Sequence, residues 1–272
     1  MSSPNSDIIF DGSIPKLYEM YFVPMVFEPY AADLVSRLPR AGLARVLEVA
    51  AGTGVVTRAL AAALPENVSI VATDLNEGML EQAESVGTRR PVEWRQADAM
   101  ALPFPDGTFD AVLCQFGVMF FSDKAKAFAE VWRVLRAGGV FIFNVWDRIE
   151  ENEFVDTVTT ALESLFPEDP PRYHARIPHG YYSLATIEHD LVAGGFTMAP
   201  QFTTVTKQSH ALSPRLAAMA YCQGTPLRSE IEARDPSLLS DATVVAANAI
   251  AQRFGTRNII GKTQAHVVMV EK

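Results

Sequence analysis

The chain has 272 residues, 49% apolar and 20% charged, enough to bury a full core and unlike a disordered or low-complexity segment. Its formal charge of −9 argues against a nucleic-acid backbone as partner, because such binders carry a basic face. Two cysteines give no disulfide framework and fit a reducing cytoplasm, and no apolar run approaches the roughly 18 residues of a membrane span.

Met1 to Asp7 lacks a basic segment followed by an apolar one, so it does not read as a secretory signal; residues up to 13 read as a frayed end. Residues 1–42 are expected to form an N-terminal helical cover. Within it Ile14 to Leu38 is helical in tendency, broken by Pro15, Pro24 and Pro29, and rich in aromatics: Tyr18, Tyr21, Phe22, Phe27 and Tyr30. Packing is their expected role, with Tyr21 a candidate for a substrate pocket.

From residue 43 to about 150 strands and helices alternate. Val46, Leu47 and Val49 form a first strand. The turn Ala50-Ala-Gly-Thr-Gly54 follows, and Val56, Ala59, Leu60, Ala63 and Leu64 then fall on one helical face. Glycines in such a turn let amides at a helix N-terminus approach a ligand. A second strand, Val68–Thr73, ends in Asp74, and a helix runs from Glu77 to about Val86. A third strand, Val92–Gln96, ends in Ala97-Asp98-Ala99. The fourth, Phe109–Cys114, leads into Gln115-Phe-Gly-Val-Met-Phe-Phe121. Ser122 is expected to cap the next helix, which Gly138-Gly139 would end before a fifth strand, Val140–Val145. Helical crossovers make these strands parallel, with ligands at their carboxyl ends.

Residues 151–272 break the rhythm. Glu151–Phe166 reads as a helix, Pro167–Gly180 as a loop, and Ser183 as the cap of a helix running to about Ala193. Gln201–Gln208 and His266–Val270 read as strands that pair. Between them residues 211–262 form an Ala-rich helical insertion, expected to roof the ligand edge of the sheet.

Glu48, Asp74 and Asp98 each end, or nearly end, a successive strand, so a parallel sheet gathers three carboxylates in one crevice. A dinucleotide site would explain an acid about 20 residues past the glycines, but its third glycine is Thr57 here and three acids would repel a pyrophosphate. A nucleoside carrying cationic groups and no phosphate fits better.

Glu48-Val-Ala-Ala-Gly-Thr-Gly54 resembles the first motif of class I S-adenosylmethionine-dependent methyltransferases. Asp74 resembles their ribose-binding acid, and Gln96-Ala-Asp98-Ala99 their adenine-contacting turn. Ala101-Leu-Pro-Phe-Pro-Asp-Gly-Thr-Phe-Asp110 and Arg133-Val-Leu-Arg-Ala-Gly-Gly139 look like the ubiquinone and menaquinone biosynthesis subgroup. The resemblance covers roughly residues 43–147. It implies an α/β, doubly wound, mostly parallel seven-stranded sheet with the last strand antiparallel, and S-adenosylmethionine as cofactor. It further implies that Glu48 lies near the methionine ammonium, with Ala50, Gly52 and Gly54 lining the ligand. Asp74 would hold the ribose hydroxyls and Leu75 flank the adenine. Asp98 and the Ala99 amide would contact the ring, and the Gln115 carbonyl would lie near the methionine end. Ala50 stands where the family has a glycine, which is tolerable if its φ stays negative.

The expected activity is methyl transfer to a small apolar or aromatic molecule, with Phe116, Met119 and Phe120 as further pocket candidates. No nucleic acid and no membrane is expected as partner. A cofactor-binding regulatory module and a nicotinamide-linked oxidoreductase are the alternatives. His174, His179 and His210 are the candidates for a general base. The His174 and His179 spacing has no helical register to converge metal ligands, so no metal is expected.

Overall fold

The computed structural model describes residues 13–39 and 41–272, so the expected frayed start lies outside the described residues up to residue 12. The first elements are α1 (Ile14–Leu17), a π-helical stretch from Tyr18 to Phe27 and α2 (Glu28–Ser36). The prolines do not break this segment. Pro15 sits in the first turn of α1, where no N–H is missed. Pro24 is carried inside the widened stretch, where Glu28 N bonds Val23 O, five residues back.

Next come β1 (Arg45–Val49), α3 (Val55–Ala63), β2 (Ser69–Asp74), α4 (Glu77–Val86) and β3 (Glu93–Gln96). β4 (Phe109–Gln115), α5 (Lys124–Val134) and β5 (Leu135–Trp146) follow. Asp123, not Ser122, caps α5: its carboxylate accepts from Lys126 N at 2.9 Å. The helix also ends earlier than expected, at Val134. Leu135 already pairs with Phe109 of β4, and a shift in register after that pair takes up Gly138 and Gly139 inside the strand.

The remaining elements are α6 (Glu153–Leu165), α7 (Tyr173–Arg176), α8 (Leu184–Ala193) and β6 (Gln201–Ala211). α9 (Pro214–Gln223), α10 (Leu227–Arg234), α11 (Leu239–Phe254) and β7 (Ile259–Glu271) complete the chain. The Ser183 hydroxyl caps α8 as expected. A short helix, α7, interrupts the segment read as a loop.

The sheet has the order β3-β2-β1-β4-β5-β7-β6. β1 to β5 are parallel. β7 runs against β5, because Gly138 N bonds Lys272 O while Asp147 N bonds Gln264 O, so rising numbers meet falling ones. Thr204 meets His266 and Thr206 meets Gln264, so β6 is also antiparallel to β7. The helices α9 to α11 are thus inserted between the last two strands.

The chain divides into two compact units. An α/β unit holds Pro29–Val145, Tyr181–Val205 and Ala265–Lys272. Its β4 is buried along its whole length. Leu34, Val46, Leu60, Ile70, Leu113 and Ile142 pack together in one core layer, each worth roughly 1.5–3 kcal/mol by burial. A mostly helical unit holds, among the described residues, 13–28, Trp146–Gly180 and Thr206–Gln264. There α11 lies on α6 and α9, with Gln223 Nε2 donating to Thr243 Oγ1 at 2.9 Å.

Candidate active site

The site of the α/β unit starts where β1 gives way to α3. Ala50, Gly52 and Gly54 have φ of 55°, 56° and 83°. Ala50 therefore does not keep the negative φ expected of it. Ala51 N is tied to Thr73 O at 2.9 Å, which holds the chain to β2 while it turns into the helix. An alanine in this conformation carries roughly 1–2 kcal/mol of strain. A Cβ on Gly52 would meet nothing within 4 Å, so the backbone there faces open space.

Glu48 is 1% exposed. Burial pushes its carboxyl up to about 8; the Thr57 hydrogen bond opposes this, and the Asp74 charge adds to it. Thr57 Oγ1 donates to Glu48 Oε2, and Thr73 Oγ1 donates to the Glu48 carbonyl at 3.0 Å. The residue standing in place of a third glycine thus holds the first acid.

Asp74 is 7% exposed. Its two oxygens accept from Gly52 N and Asn76 N, both at 2.8 Å. Burial raises its pKa, and the amides of Asn76 and Gly52 oppose the rise. A carboxylate has about four lone-pair positions, so accepting capacity remains. Leu75, next in the chain, is 45% exposed.

Asp74 pairs in register with Gln96, and its carbonyl accepts from Ala97 N at 2.9 Å. That bond draws the third turn to the second strand end. Asp98 is half-buried and accepts from Met100 N at 2.8 Å, and Ala99 is buried. Glu48 lies opposite Ala72 on one side and Leu113 on the other. The structure therefore brings Glu48, Ala50, Gly52, Gly54, Asp74, Leu75, Asp98 and Ala99 to adjacent strand ends.

Gln115 ends β4 opposite Asn144 of β5. Phe116 then turns to φ 50°, held by its amide, which donates to Asn144 Oδ1 at 2.8 Å. The Phe116 ring lies edge-on to Tyr30, 5.2 Å between centroids. Met119 is buried and Phe120 half-buried. Asn144 was not singled out from sequence, since nothing local marks an asparagine in an apolar strand as a partner for residue 116.

Tyr21 and the three histidines belong to the helical unit. Tyr21 is partly exposed in the π-helical stretch, and His210 is exposed on β6. His174 and His179 are 4% and 6% exposed, and His179 N bonds His174 O at 2.9 Å. The pair is brought together and His210 is not. Burial lowers His174 to about 3, and the neighbouring His179 adds to this; burial lowers His179 to about 4. Both are neutral imidazoles near pH 7. Among the described residues no group of three His, Cys, Asp or Glu is gathered as metal ligands, and no helix is long and apolar enough to cross a membrane.

Two buried acids beside an open glycine backbone suit a cationic, hydroxyl-bearing ligand. The Thr53 hydroxyl in the same turn is buried without a partner, a further polar group for a ligand to satisfy. Residues 47–143 match the family described as methyltransferase domain. A ubiquinone/menaquinone biosynthesis C-methyltransferase of Escherichia coli is 42% identical over 98 residues, 35% of this chain and 39% of the relative. The chain thus spans about two-fifths of the length of the curated relative it matches. The YcgJ protein of Bacillus subtilis is similar in structure, with TM-score 0.59 and 20% identity over 90% of this chain and 98% of that one. Phosphoethanolamine N-methyltransferase 2 of Haemonchus contortus, in complex with S-adenosyl-L-methionine, gives 0.58 and 17% over 95% and 56%. At these identities the structural likeness is one of fold. The segment from residue 47 to 143, with its strand-end acids and glycine turn, is thus the part of the chain that matches the methyltransferase-domain family and is similar to a ubiquinone/menaquinone C-methyltransferase.

Proposed function

We propose that the protein is an S-adenosylmethionine-dependent methyltransferase acting on a small apolar or aromatic molecule, in a reducing, cytoplasmic setting and not on nucleic acid. The observation that carries the reading is the pair of buried acids, Glu48 and Asp74, at adjacent strand ends beside the open backbone of Gly52. An ammonium beside Glu48 relieves that burial. Asp74 takes the ribose hydroxyls, the exposed Leu75 covers one face of the adenine, and Asp98 and the Ala99 amide read its edge. The Gln115 carbonyl sits toward the methionine end. When bound, the cofactor supplies a methyl group on a sulfonium, whose leaving group is a neutral sulfide.

The protein's own residues have to orient the acceptor and keep water out. A neutral leaving group needs no acid, and imidazoles as weakly basic as His174 and His179 are poor proton acceptors. The helical unit lies outside the segment matched by the family. Phe116 and Met119 serve chiefly to shape the end of β4, with Phe120 more open. The two free, buried cysteines, Cys114 and Cys222, support the reducing setting.

Calorimetry with S-adenosylmethionine and S-adenosylhomocysteine tests the cofactor half. The wild type is expected to bind both at micromolar order. Asp74→Asn, which keeps the shape and loses the charge, weakens both by roughly 1.5–3 kcal/mol. Unchanged affinity in that variant removes the ribose assignment, and NAD binding with no response to S-adenosylmethionine overturns the reading.

A further inference from the structure

Past the end of β4 the chain is held by buried side chains. The Phe116 amide donates to Asn144 Oδ1 at 2.8 Å and to the Asn144 carbonyl at 3.2 Å. The next two amides, those of Gly117 and Val118, donate to the Cys114 sulfur. Gly117 is seated on the other turn of the site: a Cβ there would lie 2.5 Å from Ala50 Cβ and 2.6 Å from Cys114 Sγ. Its φ of −101° is ordinary, so what the position requires is close approach. Ala50 and Phe116, both at positive φ, are thus linked through one glycine, and Asn144 anchors the second of them.

Asn144 is 0% exposed within an apolar stretch of β5. Its Nδ2 is buried with no hydrogen-bond partner, a cost that a leucine of similar size would not carry. The oxygen is the half of the amide in use. It fixes more than one N–H, because the peptide joining Gln115 to Phe116 is planar and trans. In such a unit the carbonyl points opposite to the N–H. β4 lies between β5 and β1. With the Phe116 N–H turned to β5, the Gln115 carbonyl is turned to the β1 side. The register that pairs Glu48 with Leu113 sets Gln115 level with Ala50. There β1 has ended at Val49 and the glycine turn begins.

We propose that Asn144 is a positioning residue for the methyl donor: it aims the Gln115 carbonyl at the sulfonium, so that the site separates the charged donor from its neutral product. The inference rests on the cofactor reading above, in which the methionine end lies toward Gln115. A carbonyl oxygen carries the negative end of the peptide dipole and attracts a sulfonium. The thioether of S-adenosylhomocysteine has no charge to attract. Asn144 acts through the peptide it holds and not by contact with the ligand.

Calorimetry with S-adenosylmethionine and S-adenosylhomocysteine on the wild type, Asn144→Leu and Asn144→Asp tests this. Asn144→Leu is expected to weaken the first by roughly tenfold and the second by less than about threefold, a change in ratio that a merely loosened fold would not produce. Asn144→Asp keeps an oxygen for the Phe116 amide and holds the wild-type ratio to within about threefold. A second measurement needs no variant at position 144. Labelling glutamine with 13C at the carbonyl and phenylalanine with 15N marks two peptides, Gln115–Phe116 and Gln201–Phe202. Gln201→Glu, at the exposed start of β6, removes the second. The remaining carbonyl resonance is expected to move further with S-adenosylmethionine than with S-adenosylhomocysteine. Equal shifts, or equal losses of affinity for the two compounds in Asn144→Leu, overturn the proposal. So does a loss in Asn144→Asp as large as that in Asn144→Leu, which would assign the effect to Nδ2. A wild type that binds neither compound removes the cofactor reading and this inference with it. Wild-type binding with an unchanged ratio in Asn144→Leu removes this inference alone.

Discussion

At the end of β1, Glu48 is 1% exposed and its side chain is hydrogen-bonded by the neutral hydroxyl of Thr57. Its pKa of about 8 in the folded chain stands above the ordinary value of 4.5. The folded state therefore keeps a proton that the unfolded state releases across that window. The contribution of Glu48 to stability is full below about 4.5 and is lost as pH rises through about 8. Urea unfolding between pH 5 and 9 is expected to show this as a falling slope of at most about 1.4 kcal/mol per pH unit. Glu48→Gln should flatten it, and an unchanged slope in that variant would show that the acid is ionised in the fold. Ala50 and Phe116, the two residues with positive φ at the ends of β1 and β4, are strained on the same edge. Strain retained beside a ligand turn fits a loop whose shape serves binding more than stability.

At the scale of elements, the α5 and α8 pair in the α/β unit shows how closely two helices are held. A Cβ on Gly194, at the end of α8, would lie 2.5 Å from Phe128 Cβ and 3.1 Å from the Ala125 carbonyl. These are atoms of α5 that cannot swing aside. Gly194 has φ −79°, so its role is closeness of approach and not an unusual backbone angle. Gly194→Ala is expected to destabilise the protein by about 1–3 kcal/mol, read as a lower urea midpoint with an unchanged slope. A wild-type midpoint would mean that α8 can move off α5 at no cost. The π-helical stretch Tyr18–Phe27 is a different case: its bonds reach five residues back, it accommodates Pro24, and Phe22 and Phe27 within it lie 5.1 Å apart between ring centroids.

For the molecule as a whole, ligand binding and unfolding are linked. A compound that binds only the folded α/β unit, present at 100 times its dissociation constant, adds about 2.7 kcal/mol. For a chain of this size that is a rise of roughly 5–10 °C in Tm. S-adenosylhomocysteine is expected to produce the rise in the transition that includes the sheet, and NAD to leave it in place. A shift with NAD and none with S-adenosylhomocysteine would return the glycine turn to the dinucleotide reading. The helical unit has its own hydrophobic core, with Phe154, Leu162, Ile231 and Ile250 each at most 1% exposed, so its unfolding need not coincide with that of the sheet.

The sequence by itself determined the β1 to β5 sheet, its parallel sense and the three strand-end acids, because each depends on local patterns. Apolar runs, glycine turns and helical spacing recur within a few residues, and a parallel sheet must place successive strand ends side by side. It also contained the pairing of the last two strands and the position of the helical insertion. Tertiary structure decided what local pattern cannot encode. The positive φ of Ala50 is accompanied by a bond from its neighbour Ala51 to Thr73, 22 residues further along the chain than Ala51. The start of β5 at Leu135 follows from its register against Phe109. The passage of the N-terminal helix through Pro24 follows from a widened turn that supplies a bond five residues back. The meeting of Phe22 with Tyr221 and of Phe27 with Trp146 is set by packing between elements up to two hundred residues apart. Burial, which depends on the whole fold, then shifts Glu48 and Asp74 toward protonation and His174 and His179 away from it.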